Sequence, residues 1–415
     1  MNILSRIKSI NSSFILGSVF FFVIILINFI LTPSPYSALH SGRVGELGID
    51  ATFVINTAYS MIASFALVRA KFKSFHFDRI ALTMCLFLLL SFVFNFSLSD
   101  INSYAYDIIA IILVSMMASY DVNRTNTIHR VSDRGLSYFE RIIACLIVIG
   151  FAIVFLYPGR YGYLSSNMSR DERGEVTLWV MLCLPLLMLS TQLVNFMFGK
   201  IEKKKLFLAI FACFITCLTA SRTAFMVYFV CIFLCYITKI KNKIVVYASI
   251  PVILYLIADS DSIRKFFFLG NSTINASNVE DVLNGRFDLW MFYWDTFCDN
   301  IFVGAGPNAL SENVAADLTA TSEVGILKTA ASYGIIPAII EIYLIICSFM
   351  TLRKIIKDYT AYSRYDLFVA FLFIANVILI VQQHARIQNY GNLGCWYSMF
   401  YMYNLNSINK NENNI

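Results

Sequence analysis

The chain has 415 residues, 58% of them hydrophobic and only 14% charged, with a formal net charge of +6. A soluble domain carries about 45–50% apolar and about 25% charged residues, so a soluble fold is excluded. The positive balance reads as charge retained on one side of a membrane rather than as affinity for nucleic acid.

Runs such as 13–32, 81–98, 177–198 and 327–350 are long enough to cross ~30 Å of hydrocarbon, which takes about 20 helical residues. They are continuously apolar and rich in Phe, Ile and Leu, whereas barrel strands alternate in segments of about 10 residues. The expected fold is therefore an all-α polytopic membrane protein, one integral membrane domain over 1–415. The first run follows Arg6 and Lys8, and with no small-residue cleavage site behind it we read it as a retained anchor. Hydropathy and charge place about twelve transmembrane helices near 12–32, 51–69, 80–98, 105–119, 140–157, 176–198, 206–220, 224–238, 244–258, 326–350, 367–382 and 393–406.

With both termini cytoplasmic, the inside loops hold most of the basic residues. These are Arg6 and Lys8; Arg69, Lys71, Lys73 and Arg79; Arg124, Arg130, Arg134 and Arg141; and Lys200, Lys203, Lys204 and Lys205. Lys239, Lys241 and Lys243, then Arg353, Lys354, Lys357 and Arg364, and finally Lys410 complete the pattern that the positive-inside rule requires. The opposite face keeps Arg43, Arg160, Arg170, Arg173, Arg222, Arg264, Arg286 and Arg386. The planar guanidinium matches phosphate oxygens two at a time, so this face suits an anionic substrate. Asp171, Glu172, Asp261 and Asp288 also offer ordinary ion-pair partners. The 10 cysteines are scattered through apolar runs with no Cys-x-x-Cys pair, the pattern of small packing residues.

The stretch between Lys205 and Lys239 is basic at both ends. As one helix it would be ~50 Å long at ~1.5 Å per residue, too long for one crossing and wrong for the charge rule. Two short helices resolve both conflicts and put Ser221, Arg222 and Thr223 at a tip sunk below the outer interface. An arginine at that depth needs a polar cavity or a partner, which makes Arg222 a functional candidate.

The long hydrophilic segment Asp259 to Ser322 lies in a large periplasmic loop over 259–325, between the ninth and tenth spans. Loops of this length in a compact protein are functional or disordered. Within it, the aromatics of 287–302 recur at helical spacing and predict an amphipathic helix on the membrane surface. Gly285 permits a turn into that helix, leaving Arg286 near its start, where backbone amides also favour anions. Gly304 and Gly306 permit a tight re-entry of the chain.

Ser221-Arg222-Thr223, then Gly285-Arg286 with Trp290, then Gly304-Ala305-Gly306, and last Leu327 with Gly334-Ile335-Ile336 occur in an order that resembles the O-antigen polymerase and ligase family. The resemblance covers roughly 206–350. It implies transfer of a glycan from an undecaprenyl-diphosphate-linked oligosaccharide at the periplasmic face of the bacterial inner membrane. The same resemblance implies that Arg222 and Arg286 hold the diphosphate. Cations there would bind the charge that grows on the departing diphosphate. An acceptor hydroxyl needs a base, and the ligase branch typically supplies a histidine ahead of the tenth span. Counting back from Gly334 through Leu327, Glu323 takes that place, which favours a polymerase of carrier-linked repeat units. The alternative reading of Glu323 is an outer-rim carboxylate, or an ion pair with Lys328 or an arginine.

Arg170, Arg173, His384 and Arg386 join the substrate-binding candidates on the same face, His384 and Arg386 at the mouth of the last hairpin. No metal-ligand spacing or phosphate-binding Gly-x-x-x-x-Gly-Lys loop occurs, so neither a metal nor a nucleotide cofactor is expected. The expected partners are the lipid bilayer, the carrier-linked glycan and a chain-length regulator protein. A ligase acting on lipid A core and a lipid-linked oligosaccharide flippase are the alternatives. The flippase is disfavoured by the lack of repeated halves.

Overall fold

The computed structural model describes residues 15, 43–44, 49–50, 78–96, 101–127, 129–156, 184–218, 222–239, 286–307, 325–382 and 390–412. They form α1 Arg79–Phe94, α2 Ile101–Thr127, α3 His129–Leu156, α4 Leu184–Met197, α5 Lys203–Leu218, α6 Arg222–Lys239 and α7 Arg286–Asp299. The remaining helices are α8 Gly325–Tyr333, α9 Ile335–Lys357, α10 Arg364–Gln382 and α11 Tyr390–Glu412, with a 3-10 turn at Tyr359–Ala361. The all-α expectation holds with one addition. β1 Arg43–Val44 pairs antiparallel with β2 Ile49–Asp50, Arg43 opposite Asp50.

Two helices make the centre of the bundle. α11 packs along α2, α9 and α10, and α10 also meets α4 and α6. Their aromatics fill the interior: Tyr365, Phe368 and Phe373 from α10, and Trp396, Tyr397, Phe400 and Tyr401 from α11 are all buried. The outer helices show the reverse. Leu82, Leu86 and Leu89 on α1, Phe207, Ile210 and Phe214 on α5, and Ile339, Ile342 and Ile346 on α9 are exposed. Continuous apolar faces of this kind are aggregation liabilities in water and are the natural surface in a bilayer.

The ends of the helices follow ordinary chemistry. Asp78 caps α1, its carboxylate accepting from the Ile80 amide at 3.0 Å. The basic ends that the sequence assigns to one side come together. Glu140 of α3 accepts from Asn195 of α4 at 2.7 Å and from Lys205 of α5 at 2.9 Å. Arg364 at the start of α10 lies 3.7 Å from the same carboxylate and donates to Asn195. Nearby, Lys239 donates to the Phe196 carbonyl at 2.8 Å, and Lys354 donates to Asn406 at 2.8 Å.

Several expected spans coincide with helices. The run from Lys205 to Lys239 is two helices, α5 and α6, packed on each other as the charge rule demanded. The tenth expected span, 326–350, is corrected: it is not one helix. The chain breaks at Gly334, where φ is +89°, into α8 and α9. Apolarity alone does not reveal such a break. Among the described residues, Ile335–Lys357 is the helix long and apolar enough to cross a membrane, ~35 Å at ~1.5 Å per residue. Arg79–Phe94, Leu184–Met197 and Met226–Lys239 are shorter apolar helices. The expected spans at 51–69 and 244–258, and the first span apart from Ile15, lie outside the described residues.

Candidate functional site

α8 does not continue the line of α9. The chain breaks at Gly334, where φ is +89°, and α8 packs back on α9, also touching α7, α10 and α1.

Close backbone contact fixes the reversal. The turn after α7 crosses the end of α8, the Ala305 amide donating to the Ala331 carbonyl at 2.8 Å and the Gly306 amide to the Ser332 carbonyl at 3.0 Å. The Ile335 amide donates to Ile301 at 2.8 Å. At Gly304, φ +69°, a Cβ would stand 2.3 Å from the Ser332 backbone. At Gly334 it would stand 2.2 Å from the Phe302 carbonyl oxygen. Only glycine meets both demands, a left-handed backbone and no Cβ. The sequence expectation of a tight re-entry at Gly304 and Gly306 is thus met, and Gly334 is its third member.

Helices α1 and α2 clamp this turn. Asn95 at the end of α1 donates to the Gly304 carbonyl at 2.9 Å. Ser91 donates to the Val303 carbonyl and shares a 2.8 Å hydrogen bond with Tyr104 of α2. From α8, the Tyr333 hydroxyl donates to the buried Asp107 of α2, with the Tyr104 and Tyr333 rings edge to face at 5.6 Å. Since α9 leaves this turn and runs ~35 Å at ~1.5 Å per residue to Lys357, shortly before Arg364, the turn sits at the end of the bundle away from the basic cluster.

α8 is polar and nonetheless buried: Lys328, Thr329, Ser332 and Tyr333 are all less than a tenth exposed. Lys328 faces α7, its ammonium 5.9 Å from the centre of the buried Tyr293 ring. α7 is the helix expected from the aromatic spacing. It docks on α8 through Tyr293 and Ala331 and leaves Trp294 half exposed. Trp290, one turn before Tyr293, has its indole Nε1 buried without a hydrogen-bond acceptor among the described residues.

Of the residues singled out from the sequence, Arg222 is the first residue of α6 and Arg286 the first of α7. Their side chains are outside the description. Each backbone position lies at the positive end of a helix macrodipole, where the free amides favour an anion. α6 packs on α10 and α4 and touches α9, whereas α7 packs on α8. Helices α6 and α7 are thus connected through α9 and α8. Glu323, Arg170, Arg173, His384 and Arg386 lie outside the described residues.

Sequence reasoning gave Lys328 only a passing role, as a partner for Glu323, and passed over Glu341 and Asp107. All three are ionisable residues within runs otherwise read as spans, which was the available signal. No curated protein matches the chain. Residues 207–340 match the model of a family described as O-antigen ligase, a stretch that includes both candidate arginines, α7, the glycine turn and α8. The match is consistent with the O-antigen polymerase and ligase family, and it supports an enzyme of surface polysaccharide biosynthesis.

Proposed function

We propose that the protein is a polymerase of O-antigen or a related surface polysaccharide, transferring a growing glycan from undecaprenyl diphosphate onto a carrier-linked repeat unit. The observation that carries the glycan-transfer part of this reading is the family match over 207–340, within which Arg222 and Arg286 each open a helix, and Glu323 in place of a histidine favours the polymerase. In the proposed topology about twelve helices cross the bacterial inner membrane, both termini are cytoplasmic, and 259–325 forms a periplasmic loop. The gathering of Glu140, Lys205, Arg364 and Lys239 at one end, opposite the glycine turn, supports that orientation.

The reaction breaks the bond between the anomeric carbon and a phosphate oxygen, whose electron pair leaves with the diphosphate. Arg222 and Arg286 bind that growing negative charge more strongly than the ground state, without a metal ion. The attacking hydroxyl gives its proton to a base, for which Glu323 is the candidate. Arg170, Arg173, His384 and Arg386 contribute to sugar and phosphate binding, and a chain-length regulator sets polymer size.

A second reading, a ligase handing the glycan to lipid A core, is favoured by the description of the matching family as O-antigen ligase. The polysaccharide ladder of a deletion strain separates the two. A polymerase deletion leaves core bearing a single repeat unit, restored to a ladder by the wild type but not by Arg222→Ala or Arg286→Ala. Loss of even the single capped unit, with long polymer held on the carrier, would establish the ligase. A normal ladder in the deletion strain would remove both readings.

A further inference from the structure

The family match runs from 207 to 340, yet side chains that hold its glycine turn come from the end of α1 and from α2, both outside that stretch. Asn95 closes α1 and spreads one amide group over three carbonyls, those of Ser91 at 3.1 Å, Val303 at 3.3 Å and Gly304 at 2.9 Å. Asp107 is 1% exposed and accepts from the hydroxyl of Tyr333, the last residue of α8. Ser91 and Tyr104, both buried, join the two holds through their hydroxyls and through the Tyr104 ring set against Tyr333.

α7 and α8 both run towards this point. α7 leads into the turn, whose Ala305 and Gly306 amides donate to Ala331 and Ser332 near the end of α8. α7 rests on α8 with Tyr293 against Ala331, so α8 and the turn together set the direction of α7. Arg286 opens α7 at its far end, ~20 Å away for 14 residues at ~1.5 Å each. On a lever of that length a tilt of about 3° moves the helix start by about 1 Å, and a misplacement of that size costs on the order of 100-fold in rate.

We propose that Asn95 and Asp107 are positioning residues for glycan transfer, holding the turn and Tyr333 so that Arg286 meets the diphosphate. The proposal rests on the glycan-transfer reading of the protein. Side-chain hydrogen bonds to backbone carbonyls suit the task, because every turn residue carries a carbonyl and the path of the chain is fixed whatever its side chains are. α1 and α2 are then working parts of the enzyme and not a membrane anchor alone.

The test uses the full chain in nanodiscs, with the carrier-linked repeat unit extracted from a strain lacking this gene. Asn95→Ala and Asp107→Ala are expected to lower the maximal rate at least ~10-fold, with KM within about threefold of wild type and the protein folded at the assay temperature. Asp107→Asn keeps an oxygen for the Tyr333 hydroxyl and should retain at least about half the wild-type rate. Asn95→Asp and Tyr333→Phe, which keep the shape and lose only the donor, take over if an alanine variant does not fold. A cycle with Arg286→Lys separates positioning from loss of folded protein. Acting through Arg286, Asn95→Ala has a smaller effect once Arg286 is replaced, whereas loss of folded protein lowers both rates by the same factor. A full rate in Asn95→Ala, or the same factor in both backgrounds, would overturn the proposal. A wild type that makes no polymer sinks the polymerase reading and the proposal with it, while an active wild type beside a full-rate Asn95→Ala sinks the positioning role alone.

Discussion

Glycines that look alike in the sequence have unlike roles. Gly199, Gly304 and Gly334 all hold positive φ, yet a Cβ on Gly199 meets nothing within 4 Å. Gly199→Ala should therefore cost only the left-handed penalty, roughly 1–2 kcal/mol. In Gly304→Ala and Gly334→Ala the new carbon would have to displace backbone, not a flexible side chain, so the turn itself must open. Thermal unfolding in nanodiscs should rank both well below Gly199→Ala, and their polysaccharide ladder should be lost. Equal melting temperatures across the three would show that the close approach at the turn is absent.

At the scale of elements, the buried charge cluster joins α3, α4, α5 and α10. Removing one partner of such a cluster leaves a buried charge exposed to its own desolvation, at about 3–5 kcal/mol. Glu140→Leu should destabilise by that order because Arg364 stays buried, whereas Glu140→Leu with Arg364→Met should recover part of the loss. A double-mutant cycle on unfolding temperature measures the coupling, and simple additivity would rule the pairing out. The two-helix nature of 203–239 was legible beforehand, because basic residues at both ends of a run too long for one crossing leave no other solution. The break at Gly334 was not. Leu327 to Met350 is uniformly apolar enough to span, and the polar content of α8 reads as ordinary until its neighbours are known. Lys328 and Glu341 were visible as charges in an apolar run, but only the packing of α8 on α9 shows that both are buried.

For the whole molecule, the orientation is open to direct measurement. Alkaline phosphatase, active only outside the cytoplasm, should be inactive when fused after Lys200 or Asp358 and active when fused after Pro307. Activity at the first two sites would invert the proposed topology. Composition and charge by themselves determined that the chain is helical and apolar, where its basic loops lie, and which short motifs align with a glycan-transfer family. Those properties are local sums over residues, and the hydrophobic effect and the positive-inside bias act on such sums. The tertiary structure decided which arms meet: that Asn95 and Tyr104 secure the glycine turn, that Arg364 reaches Glu140, and that α8 packs back on α9. These pairings join residues far apart in the chain, and they depend on close contacts that no hydropathy pattern encodes.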